Sequence, residues 1–101
     1  MEGFYFMSVQ VLRVSGNSNV NTVAQAIIKY VVNNSAVNID AIGIKASYNV
    51  IKALIQTTEY LVENGYKFNL RPYYVKVNTD SNNGDIIYKT AIRWTLIAKC
   101  R

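Results

Sequence analysis

The order of the hydrophobic patterns constrains the fold of this chain most strongly. Apolar residues recur every three or four positions over residues 20–31 and again over 46–62, and each recurrence predicts an amphipathic helix. The second stripe includes Ile51 and Val62. Runs rich in β-branched and aromatic residues flank the helices and predict strands, which cover residues 8–15, 37–42, 66–77 and 86–99. The elements therefore follow one another as strand, helix, strand, helix, strand, strand.

This order predicts an α+β fold in which two right-handed crossovers build a mixed four-stranded sheet with both helices on one face. Gly65 is placed to end the second helix in a left-handed conformation. Pro72 cannot donate to a ladder, so the third strand is expected at an edge or at a bulge. The turn-rich segment 78–85 joins the last two strands as a hairpin. We assign residues 8–101 to a single βαβαββ two-layer sandwich and residues 1–7 to an N-terminal extension.

The chemistry that the chain lacks excludes most enzyme classes. Histidine is absent, and the single cysteine, Cys100, lies next to the C-terminus. Without an imidazole or a second thiol there is no Cys/His pair and no Cys-rich metal site, so we expect no enzymatic activity, cofactor or metal. A reducing intracellular compartment, cytoplasmic or nuclear, is the expectation. We expect no membrane partner, because no apolar run approaches the roughly 20 residues that span a bilayer.

Chain direction gathers three loops at one end of the predicted sheet. If the first strand points up, the loops at 15–19 and 43–45 and the hairpin tip at 78–85 all emerge at the top. Both helices begin there, with unpaired backbone amides and a partial positive charge. We call these three segments the rim. The rim is therefore a predicted phosphate-contacting surface, although capped helix starts and lysines that merely solvate the protein would explain the same residues.

Individual residues at the rim differ in what they predict. The candidates for nucleic-acid contact from the residues alone are Asn17, Ser18, Asn19, Gly43, Lys45, Tyr48, Lys76 and Lys89. Lys45 leads this set, because a cation is unfavourable at a helix N-terminus unless an anion joins it. Gly43 would let a phosphate approach closely. Ser18 and Asn19 could equally cap the first helix, and Tyr48 could stack on a base.

A set of short segments between residues 9 and 99 carries a family resemblance. The segments are 11–15 (VLRVS), 21–27 (NTVAQAI), 39–43 (IDAIG), Ala46 with Asn49 and Lys52-Ala53, and 89–92 (KTAI). In order and spacing they resemble the stage V sporulation protein S family, which belongs to the Alba-like superfamily. The resemblance implies a homodimer that binds DNA or RNA chiefly through backbone contacts, with its hairpins reaching along the grooves. It also implies binding positions near Lys45 and Asn49.

One departure from the resemblance supports an alternative function. Alba-like proteins carry paired lysines in the first loop, where this chain has Gly16 and Asn17. The alternative is a dimeric protein-interaction scaffold or developmental regulator without nucleic-acid binding. A small anionic metabolite at the helix starts is a third interpretation, although no glycine-rich cradle supports it. Arg71, Arg93 and Lys99 are interpreted as scattered surface charges. The favoured prediction is sequence-tolerant, salt-sensitive, non-enzymatic binding of nucleic acid.

Overall fold

The computed structural model describes residues 8–80 and 84–100. The strands are β1 (Ser8–Val14), β2 (Ser35–Ala41), β3 (Tyr66–Asp80) and β4 (Ile86–Cys100). The helices are α1 (Val20–Val32) and α2 (Ile44–Glu63). Their order confirms the predicted βαβαββ arrangement. The predicted N-terminal extension, residues 1–7, and the tip of the predicted hairpin, residues 81–83, lie outside the described residues.

The four strands form one mixed sheet in the order β1-β2-β4-β3. β1 runs parallel to β2, whereas β4 runs antiparallel to both β2 and β3. The first three strands therefore point the same way, and the starts of both helices lie at the end of the sheet from which the β3–β4 hairpin projects. β3 is an edge strand, as Pro72 predicts, since an edge tolerates a residue without an N–H.

Both helices pack on one face of the sheet and enclose the core between the two layers. Alternate residues of the two central strands face the helices, including Ile39 on β2 and Leu96 on β4, and both are fully buried. The helices contribute Ile27, Val31, Val50 and Leu61 to the same core. Full burial of each such side chain contributes roughly 1.5–3 kcal/mol. This core fixes where each helix begins and so positions the rim.

The helix ends follow the local sequence. Asn19 caps α1, because its Oδ1 accepts a hydrogen bond from the backbone N–H of Thr22 at 3.0 Å. α2 ends at Glu63, and Gly65 follows with a φ of +76°, the left-handed conformation that the sequence predicts. Of the helices in the described part of the chain, none has the length and hydrophobicity needed to cross a membrane.

A partly buried ion pair lies on the sheet face opposite the helices. Arg93 donates through Nε and Nη2 to the two carboxylate oxygens of Asp40, at 2.6 and 2.8 Å. The Asp40 side chain is only 2% exposed. The hydrogen bonds to Asp40 are the main reason that the pKa of Arg93 is raised above its ordinary value. The guanidinium therefore stays charged at physiological pH, and the pair ties β2 to β4 on this face.

Candidate nucleic-acid interface

The first loop and the start of α2 are held in contact at the rim. The Nδ2 group of Asn49 donates to the carbonyl oxygens of Ser15 and Gly16, each at 3.1 Å. The side chain of Lys45 lies against Gly16, where an added Cβ would be 2.9 Å from the Lys45 Cδ. The structure therefore brings together two of the three segments that chain direction places at the rim.

Asn49 has a different role from the one that the resemblance implies. It is buried, and its amide group donates to two backbone carbonyls of the first loop. An amide engaged in this way cannot also donate freely to a phosphate. We therefore assign Asn49 to positioning the first loop and not to direct contact with nucleic acid.

The N-terminus of α2 is open to an incoming anion. Gly43 precedes the helix with a φ of +90°, a conformation that side-chain-bearing residues rarely adopt, and no side chain caps the first turn. An added Cβ at Gly43 would have no atom within 4 Å, so the approach is unobstructed. The first turn contains no acidic residue, whereas it contains Lys45, which is exposed. The backbone amides at this end are available to an acceptor from outside.

The start of α1 has its own internal partners. The Asn19 Oδ1 accepts from both the N–H and the Oγ1 of Thr22. The Ser18 Oγ accepts from the backbone N–H of Ser15 at 2.9 Å. The capping interpretation is therefore confirmed for Asn19, and Ser18 closes the loop that leads to α1. Asn17 is exposed, and its side chain forms no hydrogen bond within the described residues.

The two predicted lysines of the hairpin do not share a surface. Lys76 pairs with Thr90 in the ladder, and its Nζ donates to the Thr90 Oγ1 at 2.9 Å. Lys89 pairs instead with Val77, one position along. Directly paired residues point to the same face, and successive residues alternate, so the two lysines lie on opposite faces of the hairpin. Lys76 is on the helix side with the rim, whereas Lys89 is on the opposite face, and a role for Lys89 in nucleic-acid binding stays a prediction.

An apolar groove, which the sequence did not predict, separates α2 from the hairpin. It has a volume of about 560 Å³ and is lined by Gly43, Ile44, Tyr48, Ile51, Tyr74 and Ile92, among others. Ile44 is 91% exposed and Tyr74 is 77% exposed. Ile51, although predicted in the apolar stripe of α2, is also exposed. The Lys52 Nζ lies 4.5 Å from the centre of the Tyr48 ring, so Tyr48 belongs to this groove and its flank. We call it the α2–hairpin groove.

Replacing Asn49 with alanine should lower the free energy of unfolding by about 1–3 kcal/mol, because the carbonyls of Ser15 and Gly16 lose a buried donor. Urea denaturation measures this change. Asn17→Ala is the matched control, because Asn17 is exposed, and it should change the stability by less than about 0.5 kcal/mol. Equal stabilities of the two variants would contradict the positioning role of Asn49.

Comparison with protein families decides the identity of the chain. The sequence pattern of the family described as stage V sporulation protein S (SpoVS) matches residues 10–99. The chain belongs to the stage V sporulation protein S family. The match covers both helices, all of β2 and β3, and nearly all of β1 and β4, so it includes the rim and the groove of this SpoVS-family protein. Among curated protein sequences, none matches the chain significantly.

Comparison with solved structures confirms the Alba-like fold of this SpoVS-family protein. Alba from Thermoplasma volcanium is similar with a TM-score of 0.59 and 20% sequence identity, over 87% of this chain and 99% of that chain. At this identity the similarity establishes the fold alone. A precorrin-6y C5,15-methyltransferase from Geobacter metallireducens is similar with a TM-score of 0.38 and 10% identity, over 91% of this chain and 44% of that chain. That score is too low to support an argument.

Proposed function

We propose that this protein is a non-enzymatic nucleic-acid-binding dimer that contacts phosphates of DNA or RNA at the rim, with no sequence preference. The observation that carries the proposal is the start of α2, where an uncapped helix N-terminus and the exposed Lys45 meet the first loop. The Alba-like fold supports it through the implied function of the superfamily. Backbone contacts of this kind give affinity without reading bases.

Electrostatics explains why the start of α2 suits a phosphate. A positive side chain in the first turn opposes the helix dipole and costs about 0.3–1 kcal/mol. Lys45 occupies this position, and no acidic residue in the first turn compensates for it. A bound phosphate would interact favourably with the free amides and the lysine at once. Lys76, on the helix side of the hairpin, supplies a second cation on the same side of the sheet.

Replacing Lys45 with glutamate should weaken binding to duplex DNA by at least about tenfold at low salt and reduce the slope of log affinity against log salt by about 1. Fluorescence anisotropy of labelled duplex measures both. An acidic residue in the first turn favours the helix, so the loss would not reflect unfolding. Lys29→Glu is the matched control, because Lys29 is exposed in the last turn of α1 and the charge change is the same.

Two outcomes would contradict parts of this proposal. If the wild-type protein binds neither duplex nor single strands at low salt, nucleic-acid binding is wrong. If it binds but Lys45→Glu behaves like Lys29→Glu, the rim is not the binding surface.

The α2–hairpin groove supports the dimer. Large apolar side chains are exposed along the groove and the surface that continues it: Ile44, Tyr48, Ile51 and Ile55 on α2, and Tyr74 and Tyr88 on the helix side of the hairpin. The α2 residues are spaced as one helical stripe. At about 200 Å² for each large side chain, the six offer on the order of 700–800 Å² of exposed surface. A stable dimer buries about 800 Å² on each partner, so a second copy of the chain fits this patch.

The scaffold interpretation is the second candidate function. Asn17 stands where the superfamily carries lysine, and the side chains of Ser18 and Asn19 have partners within the loop, so the first loop offers no cation. In this interpretation the α2–hairpin groove is the main functional surface. A protein that forms a dimer but binds no nucleic acid at low salt would favour it.

A further inference from the structure

Charged residues that are far apart in the sequence lie together on the face of the sheet opposite the helices. The ladder pairs Arg13 with Asp40, Asp40 with Arg93, and Arg93 with Tyr73, so these four residues form one row across the sheet. The next row on the same face contains Val11, Asn38, Thr95 and Arg71. Directly paired residues share a face, and this face is the one that the helices leave uncovered in the described part of the chain. We call it the open sheet face.

Basic residues outnumber acidic residues on the open sheet face. The register places six of them there: Arg13, Lys67, Arg71, Lys89, Arg93 and Lys99. Asp40 is the acidic residue that the described strands contribute to this face, and its charge is neutralised by Arg93. Lys67, Arg71 and Lys89 are exposed and follow the length of the β3–β4 hairpin. The face therefore presents a row of cations to a polyanion.

A planar site with a shallow recess lies within this row. The Arg71 guanidinium stacks on the Tyr73 ring, with its Cζ 4.7 Å from the ring centre. The Tyr73 hydroxyl is hydrogen-bonded to the Thr95 hydroxyl at 2.7 Å, and the Thr95 hydroxyl donates to the Asn38 Oδ1 at 2.7 Å. These two hydrogen bonds fix the Tyr73 ring and hence the plane of the Arg71 guanidinium stacked on it. Asn69 and Ile97 complete a recess of about 230 Å³ beside them.

We infer that the open sheet face is a second nucleic-acid surface and that it binds single strands. Lys67, Arg71 and Lys89 contact phosphates at intervals along the strand, while the Arg71 plane stacks on an unpaired base that enters the recess. Bases of single strands are free to stack on arginine planes and to hydrogen-bond with amides such as that of Asn69. The bases of a duplex lie inside grooves that a broad sheet cannot enter, so a duplex gains no stacking on this face and we expect it to bind at the rim.

This inference extends the proposed function, because it adds a surface on the other side of the sheet from the rim. The two surfaces use different residues: Lys45 belongs to the rim, and Arg71 and Lys67 belong to the open sheet face. Substitutions can therefore disrupt binding at either surface without altering the residues of the other. A strand on the open sheet face would leave the rim free for a duplex.

The test compares binding of labelled oligo-dT and a duplex of equal length by fluorescence anisotropy. Arg71→Gln and Lys67→Gln should each weaken binding of the single strand by about 3–10-fold and lower its salt slope by about 0.7, while duplex binding changes by less than about twofold. Arg71→Lys keeps the charge but removes the plane, so it should keep the salt slope and still lose affinity for the single strand. Lys29→Gln is the control for loss of one charge.

The outcomes separate this inference from the proposed function. If Arg71→Gln and Lys67→Gln bind single strands as tightly as Lys29→Gln does, the inference is overturned, whatever Lys45→Glu does to the duplex. If they weaken binding of the single strand while Lys45→Glu leaves binding of the duplex unaffected, the inference about the open sheet face is supported and the proposal for the rim is wrong. Equal weakening of duplex and single strand would also overturn the claim, because it would show a general charge effect. Circular dichroism confirms that each variant is folded.

Discussion

Replacing Asp40 with alanine is expected to lower the free energy of unfolding by about 3 kcal/mol. The substitution leaves the Arg93 guanidinium without the carboxylate that accepts two of its hydrogen bonds, in the middle of the sheet. The expected loss lies at the lower end of the range for broken buried pairs, because the Arg93 side chain is still 24% exposed and water can reach part of it. Urea denaturation followed by circular dichroism measures the loss.

Two further variants test whether the effect comes from the unpaired charge. The double variant Asp40→Ala with Arg93→Ala removes both charges, so it should be no less stable than Asp40→Ala alone. Glu59→Ala removes an exposed carboxylate from α2 and should cost less than about 0.5 kcal/mol. If the double variant is clearly less stable than Asp40→Ala alone, the loss does not come from the unpaired charge of Arg93.

Replacing Ile51 with aspartate is expected to convert a dimer into a monomer, with the dimer dissociation constant raised by at least about a hundredfold. Ile51 lines the α2–hairpin groove and also a neighbouring recess with Pro72, Tyr74 and Trp94. In a two-fold dimer the same substitution enters the interface twice, so two carboxylates would be buried among apolar side chains. Sedimentation velocity over a range of protein concentrations measures the change.

The control for this substitution is Val9→Asp. Val9 is an exposed apolar residue of β1, on the open sheet face and away from the groove. It should leave the dimer intact. A wild-type protein that is monomeric at high concentration, or an Ile51→Asp variant that remains dimeric, would show that a second copy does not occupy the groove.

Much of the fold could be predicted because local patterns and chain direction agree. Asn19, Gly65 and Pro72 each act through their own backbone chemistry, and each has the predicted place in the structure. β3 and β4 extend beyond the runs that predict them, whereas β1 ends at Val14, within its predicted run. Thr79 and Asp80 extend β3 beyond the predicted end because they pair with Ile87 and Ile86 of β4. A polar residue can continue a strand when its ladder partner is in place, and that partner is distant in sequence.

The site was harder to predict, because it depends on which face each residue occupies. Alternation along β4 puts Lys89 on the face opposite Ile92 and Trp94, whereas the face of Lys76 depends on the β3–β4 register, which lies beyond local sequence. The stripe of α2 is wider than the sheet can cover, so Ile51 matched a core position by period and yet lies exposed. Arg13, Arg71 and Arg93 are far apart in sequence, and only the β1-β2-β4-β3 order brings them to one face.

Under the two proposals, the protein binds nucleic acid on two sides of the sheet, at the rim and on the open sheet face. The rim offers helix amides and Lys45 at one end of the sheet. The open sheet face offers a row of cations and a fixed guanidinium plane. The Asp40–Arg93 pair stabilises the sheet between them without adding net charge. The separation of the two surfaces makes their contributions independent in binding experiments.

The most direct measurement of the central claim is a titration of the isotope-labelled protein with duplex DNA, followed by the backbone amide signals in NMR spectra. The account predicts that the largest shifts occur at Gly16, Asn17, Gly43, Ile44 and Lys45, where the first loop meets the start of α2. Shifts confined to the last turn of α1, to Ile51, Tyr74 and Ile92 of the α2–hairpin groove, or to no part of the protein would contradict it.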